Sequence, residues 1–175
     1  LLINTPVIVL KSFVFNDTSI IARCFSRDKG KISFIIKGAY SKKSSKYAHF
    51  QPLNYLDVIY RHNQKRDLQI LHKVNFKESW TSLTSEISPI TLSMTILELT
   101  DKSLSFEDPH PRLFKTLVNV LREYNKKEKD PNLLFWFYEC SLLTDLGFRP
   151  SLRKENLPGF NTISPNSGIK SGQIL

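Results

Sequence analysis

Seven basic side chains fall within one 22-residue stretch of this 175-residue chain: Arg27, Lys29, Lys31, Lys37, Lys42, Lys43 and Lys46, against the single acid Asp28. Cations at that density repel one another unless a polyanion relieves them, and each neutralised phosphate releases condensed counterions. Lys42, Lys43 and Lys46 lie in a Gly, Ser and Lys segment with almost nothing to bury, which suits a loop that follows a phosphate backbone. Tyr40 and Tyr47 flank that loop. Rings beside a basic groove can stack on bases, although packing within the loop accounts for the two tyrosines equally well. Arg61, Lys65 and Arg66 form a second cluster. Phe13 and Phe15 sit in a turn region and Phe34 in a strand, where core or rim packing is the plainer reading.

Other chemistries find no support. The four histidines (His49, His62, His72 and His110) lack the spacing of a metal motif, and no G-x-x-x-x-G-K-[ST] phosphate loop is present. Carboxylates are too scattered for paired acid–base or two-metal work. Cys24 and Cys140 cannot make a disulfide framework or a zinc site, and they read as buried thiols. The expectation is therefore a non-enzyme with no cofactor and no metal.

The charge is lopsided. The formal net charge is +9 and the pI about 9.6. Residues 1–76 hold 13 Lys and Arg against 4 Asp and Glu, whereas residues 77–175 hold 12 of each. The whole excess sits on the first half, as expected of two modules with different partners. No apolar run approaches the ~20 residues of a membrane span. A cytoplasmic, nucleoid-associated protein is expected, and the Asn16-Asp17-Thr18 sequon is read as coincidence.

Periodicity divides the chain at the same place. Short apolar or alternating runs at residues 6–11, 18–25, 32–37, 53–60 and 68–76 predict five strands, the second and third joined across Gly30. Five short strands in about 75 residues fit a small oligonucleotide-binding (OB) barrel. The same pattern also fits an SH3-like barrel or half a sandwich. Beyond it, a weak helical segment at residues 80–88 precedes helices over residues 90–104, 113–124 and 133–146. Asp108 and Asp130 are candidate caps, Pro131 an N1 proline and Gly147 a stop. The last of these helices is apolar nearly all round, which predicts the central helix of a bundle. The helical half as a whole is rich in aromatics, and an apolar groove left exposed anywhere on it, with Arg or Lys at a rim, would suit an acidic-apolar peptide; Lys102, Arg112, Lys115 and Arg122 are the candidates. The fold class is thus α+β: barrel at 1–77, helical bundle at 78–148, extended segment at 149–175.

Several motifs in succession resemble the bacterial recombination mediator family RecO. They are Val7-Ile8-Val9-Leu10-Lys11, Phe25-Ser26-Arg27-Asp28-Lys29-Gly30-Lys31, Lys37-Gly38-Ala39 with its Lys-Ser loop, Phe50-Gln51-Pro52-Leu53, Ile96-Leu97-Glu98-Leu99, and Leu142-Leu143-Thr144-Asp145-Leu146-Gly147-Phe148-Arg149-Pro150. The resemblance implies an OB barrel and a helical domain that bind single- and double-stranded DNA and anneal complementary strands. It further implies partnership with RecR and with the C-terminal tail of the single-strand-binding protein, and indirect help in loading RecA. By position, the family's DNA-contacting loop falls on Lys37, Lys42, Lys43 and Lys46, with Arg27, Lys29 and Lys31 on the adjacent hairpin. Many members carry a Cys-x-x-Cys zinc pair after the Gly-Phe-x-Pro segment. Here that place reads Ser151-Leu152-Arg153-Lys154-Glu155-Asn156, so no structural zinc is expected. The alternative is a protein-interaction adaptor whose basic loop docks an acidic partner.

Overall fold

A computed structural model describes residues 1–39 and 46–148. Strands β1 (Leu2–Val14), β2 (Ile20–Ser26), β3 (Gly30–Ile36), β4 (Tyr55–Arg61) and β5 (Leu68–Glu78) close into a barrel in the order β1-β2-β3-β5-β4. All pairings are antiparallel except the short β3–β5 seam, where Ser33, Phe34 and Ile35 meet Leu68, Gln69 and Ile70. A one-turn helix, α1 (Lys46–His49), lies between β3 and β4 in the chain. Strand β1 is much longer than the apolar run at 6–11, because its first half pairs with β4 and its second half with β2 across a bulge between Val9 and Lys11. One row of partners, Phe13–Ile21–Ile35–Ile70–Arg61–Leu2, circles the barrel and returns to β1 eleven residues earlier (13 − 2 = 11). That stagger is the shear that closure of tilted strands demands.

Alternation along the strands sorts the side chains into two sets. Val7, Val9, Ile20, Ala22, Cys24, Ile32, Phe34, Ile36, Leu56, Val58 and Tyr60 point inward and fill the barrel. Phe34 and Tyr60 meet edge to face at 5.2 Å. Ile8, Phe25 and Tyr55 point outward, yet they are buried, because they join the core of the helical half. Phe25 meets Phe114 at 5.4 Å, and the Trp80 indole N–H donates to the Leu53 carbonyl at 2.9 Å. Each such ring removed from water contributes about 1.5–3 kcal/mol.

The helical half consists of α2 (Ile87–Ser103), α3 (Pro111–Lys126) and α4 (Pro131–Asp145). The helical segment expected at 80–88 contracts to a single 3₁₀ turn, Leu83–Ser85. It is tied down by the Asn125 side chain, which accepts from the backbone N–H groups of Ser82 and Leu83. Asp108 is not a cap: His110 occupies the N-cap position of α3, and the Asp108 carboxylate contacts the His110 ring. Asp130 does cap α4, accepting from the Asn132 N–H at 2.8 Å. Helix α4 packs against both α2 and α3, as a central helix should, but α3 is the more deeply buried of the two. Seven α3 residues are buried, whereas α4 buries only Leu134, Tyr138 and Leu142. The apolar perimeter of α4 is therefore mostly surface: Leu133, Trp136, Phe137 and Leu143 are exposed. Uniform apolarity gives no direction to a helix, while the polar stripe of α3 leaves one face to bury.

The two halves are joined by a charged cluster. The Arg23 guanidinium donates twice to the Asp101 carboxylate, at 2.8 and 3.1 Å, and the Lys31 ammonium donates to the Asp101 carbonyl. Lys31 Nζ and Arg23 Cζ lie 4.6 and 5.5 Å from the centroid of the Phe106 ring. Burial pulls the Lys31 ammonium below the ordinary lysine range, with Asp101 opposing. The α2–α3 connection then runs beside β3: Phe106 bridges Lys31 in parallel, and the Glu107 N–H donates to the Lys31 carbonyl at 3.0 Å. Gly30 (φ +66°) makes this approach possible, since a Cβ there would lie 2.0 Å from the Asp108 carbonyl oxygen.

Asp101→Ala is expected to lower the unfolding free energy by about 2–3 kcal/mol in urea titration, because it removes the carboxylate from the half-buried Arg23 and the buried Lys31. Glu98→Gln, which breaks only the exposed pair with Lys102, should leave the midpoint unchanged. Acid sensitivity is also expected. The guanidinium of Arg122 holds Glu78 below the usual carboxylate range, and Arg27 does the same for Asp28. Stability from depressed carboxyls is present above their ordinary values and lost as pH falls through the lowered ones. The thermal midpoint should thus fall below about pH 4, and less steeply in Arg122→Leu.

Candidate nucleic-acid interface

The row Phe13–Ile21–Ile35–Ile70–Arg61–Leu2 faces outward on the barrel wall. Phe13 is 39% exposed, Ile70 44% and Leu2 58%, whereas Ile21 is buried and Ile35 half-buried, so the uncovered apolar surface is interrupted at β2. Arg61 lies in the row itself, and Lys37 follows Ile35 two residues past it, exposed. Phe15, 53% exposed, extends the same end at the β1–β2 turn. Phe34, by contrast, is in the barrel core.

The loop between β4 and β5 is rigidly built. Gln69, 1% exposed, accepts from the Asn63 N–H through its side-chain oxygen and donates to the Asn63 and Arg66 carbonyls. The Asn63 side chain in turn accepts from the Lys65 N–H at 2.9 Å. Lys65 and Arg66 therefore project, exposed, from an internally bonded loop, with Arg61 at its root. The Tyr60 and His62 rings meet edge to face beneath it.

The expected basic residues do not all serve one surface. Lys31 is corrected: it is 6% exposed, and its ammonium is engaged by Asp101 and Phe106. Arg27 is exposed but forms two hydrogen bonds with the Asp28 carboxylate, which also accepts from Thr5 Oγ1 at 2.8 Å. Lys29 is half-buried on the same turn, which Ser26 Oγ steadies by accepting from the Asp28 and Lys29 N–H groups. Lys46 opens α1 and is exposed, as is Tyr47 beside it. The His49 ring stacks on Phe76 at 4.4 Å. Tyr40, Lys42 and Lys43 lie outside the described residues, as does the segment 149–175. Of the predicted set, then, Lys37, Arg61, Lys65 and Arg66 stand on or beside the outward row.

The four expected rim residues do not share a groove. Lys102 pairs with Glu98 at 2.9 Å and lines a cleft between β1 and α2 with Leu10, Pro52 and Met94. Arg112 borders a depression with Cys140 and Thr144, and Lys115 is exposed on α3. Arg122 lines a second cleft between α3 and α4, which meets the Arg112 depression at Phe137, while also bonding Glu78. That cleft, about 740 Å³, has Val120, Leu133, Leu134 and Phe137 as its floor and Arg122, Lys126 and Lys129 at its edge. Glu123 accepts from both Lys126 and Lys129 at 2.8 Å, which pulls its carboxyl down to about 2.

Sequence reasoning missed Ile35, Ile70 and Gln69. Alternation marked the first two as half of a strand but could not say which half the helices would cover. No local signal marks a buried glutamine as the organiser of a loop six residues upstream.

Among the described residues, no group of His, Cys, Asp and Glu could hold a metal ion. No helix among them is long and apolar enough to cross a membrane.

Comparison with known proteins covers nearly the whole chain. A family described as Recombination protein O N terminal matches residues 1–80, and Recombination protein O C terminal matches residues 85–175. Curated proteins named DNA repair protein RecO are similar. The one from Salinibacter ruber is 32% identical over 151 residues, covering 86% of this chain and 58% of the relative. That from Prosthecochloris aestuarii is 30% identical over 154 residues, 88% of this chain and 58% of the relative. That from Flavobacterium johnsoniae is 29% identical over 161 residues, 90% and 67%. The chain thus spans 58% of the length of the first two relatives.

Charge reversal separates cations that face ligand from those that face protein. Arg61→Glu and Arg66→Glu should each weaken oligonucleotide binding roughly tenfold and reduce the salt slope by about one. Lys31→Gln should lower the thermal midpoint and leave the slope of log affinity against log salt unchanged.

Proposed function

The chain belongs to the RecO family of DNA repair proteins, and from that premise we propose that it is a non-enzymatic, DNA-binding recombination mediator. It binds single- and double-stranded DNA, anneals complementary strands, and assists RecA loading on strands coated by the single-strand-binding protein, in company with RecR. The observation that carries this reading is the partly uncovered apolar row on the barrel wall, with Arg61 within it and Lys37, Lys65 and Arg66 beside it.

The mechanism is electrostatic with an apolar component. Basic side chains at the row neutralise phosphates and so lower the repulsion between two strands brought together. Phe13, Ile35 and Ile70 give unpaired bases a surface to lie on, which favours single strands without reading sequence. Arg27, Lys29 and Lys46 are further candidate contacts on the described surface, and the sequence adds Tyr40, Lys42 and Lys43, which lie outside the described residues. The α3–α4 cleft suits an acidic-apolar tail such as that of the single-strand-binding protein: its floor is apolar and its edge carries three cations against one carboxylate. One half of the molecule would then hold the strand while the other draws off the protein that coats it.

Fluorescence polarisation of a labelled oligonucleotide across a salt series tests the reading. Affinity should fall steeply and linearly on logarithmic axes, and the combined Lys42→Glu, Lys43→Glu and Lys46→Glu variant should weaken binding to all sequences alike. A flat salt response would contradict it.

A further inference from the structure

We infer that Phe106, on the connection between α2 and α3, is a stacking platform for one nucleobase of a bound single strand; the inference rests on the DNA-binding reading above. Phe106 is 52% exposed although Lys31 and Arg23 lie over its ring. The ring is held in place by the bridge to Lys31 and the Glu107 N–H bond. It is held at a backbone cost, since Glu107 takes φ 57°, a left-handed conformation that non-glycine residues avoid. The contacts with Lys31 and Arg23 engage part of the ring, and half of the side chain still stands open to a ligand.

The surroundings define the ligand. Phe106 lines a cavity of about 300 Å³ with Ile32, Ser33, Gln64, Leu68, Lys31, Arg66, Asp67 and Glu107. Two cations face two carboxylates there, and Lys31 is already engaged by Asp101. That balance gives a phosphate little reason to enter. It suits a flat, uncharged ring with donors and acceptors on its edge, such as a base. Cations over one part of the ring withdraw electron density from it, which favours stacking with an electron-rich partner on the open part.

Position supports the same ligand. The Ser33–Leu68 pair lines the cavity, and the next outward pair along the β3–β5 seam is Ile35–Ile70, in the apolar row. Two residues along a strand span about 6.6 Å. A DNA strand that leaves the row at Ile70 and runs along the seam therefore reaches the cavity that Phe106 lines, so the helical half contributes a residue to the DNA track.

The test uses the full chain and a labelled oligothymidine. Phe106→Leu keeps the apolar bulk and the backbone bridge but removes the ring face. It should bind the single strand roughly tenfold more weakly, the size of one lost stack, with the salt slope and duplex affinity unchanged, while the thermal midpoint falls modestly with the loss of the cation–ring contacts. Phe106→Trp should retain affinity, and its added emission, relative to the parent protein, should be quenched on binding. Unchanged single-strand affinity in Phe106→Leu, equal losses for single strand and duplex, or an unquenched Phe106→Trp overturns the stacking site while leaving the DNA-binding reading intact. A parent protein that binds no DNA overturns both.

Discussion

The Asp101 carboxylate, held between Arg23 and Lys31, is the contact on which the rest of the arrangement depends. Two cations from adjacent strands converge on one acid from α2, so the cluster has a net positive charge in a largely dry setting. Such a group is stable only when its members stay together, and separation of the two halves would leave each charge uncompensated. The cluster therefore does less to add net stability than to fix where the helices sit on the barrel. Phe106 and Gly30 complete the constraint, the first by lying under the cations and the second by letting the Asp108 carbonyl come close.

That placement divides the outer wall of the barrel. The side bearing Ile8, Phe25 and Tyr55 is sealed by Trp80 and Phe114. The side bearing Ile35, Ile70 and Arg61 is left to solvent. Electrostatics follows the same division. Part of the +9 excess is internal structure, because Arg23 and Lys31 answer to Asp101, and Arg27 is offset by Asp28. Exposed cations stand at the β4–β5 loop and just beyond β3, where Arg61, Lys65, Arg66 and Lys37 lie.

Much of this was legible in the residues and some was not. Alternation in Ile32, Phe34 and Ile36, and the turn at Gly30, located the β2–β3 hairpin, and Asp130-Pro131 located the start of α4. Lys31 was misread because a lysine in a basic run looks like its neighbours; what sets it apart is Asp101, seventy residues on, which no local window contains. The burial of α4 was overestimated for a related reason. A helix apolar on every side carries no information about which side is covered, and burial went to α3, whose polar stripe excludes the other orientations. The length of β1 was underestimated because Asn4, Thr5 and Ser12 interrupt the apolar run, while pairing with two different strands supplies the hydrogen bonds that hydrophobicity does not signal.

The closed ring of strands has a consequence for how any ligand is met. Every strand already has two neighbours, and the lower edge of β3, beyond the short parallel seam, is taken by Phe106 and Glu107. Along that edge of β3, among the described residues, no free row of peptide groups is left to an incoming chain, so recruitment by adding a strand there is foreclosed. Whatever docks there must do so through protruding side chains, on a scaffold that cannot widen to admit it. Recognition of that kind is tolerant of sequence and incurs little loss of conformational freedom in the protein.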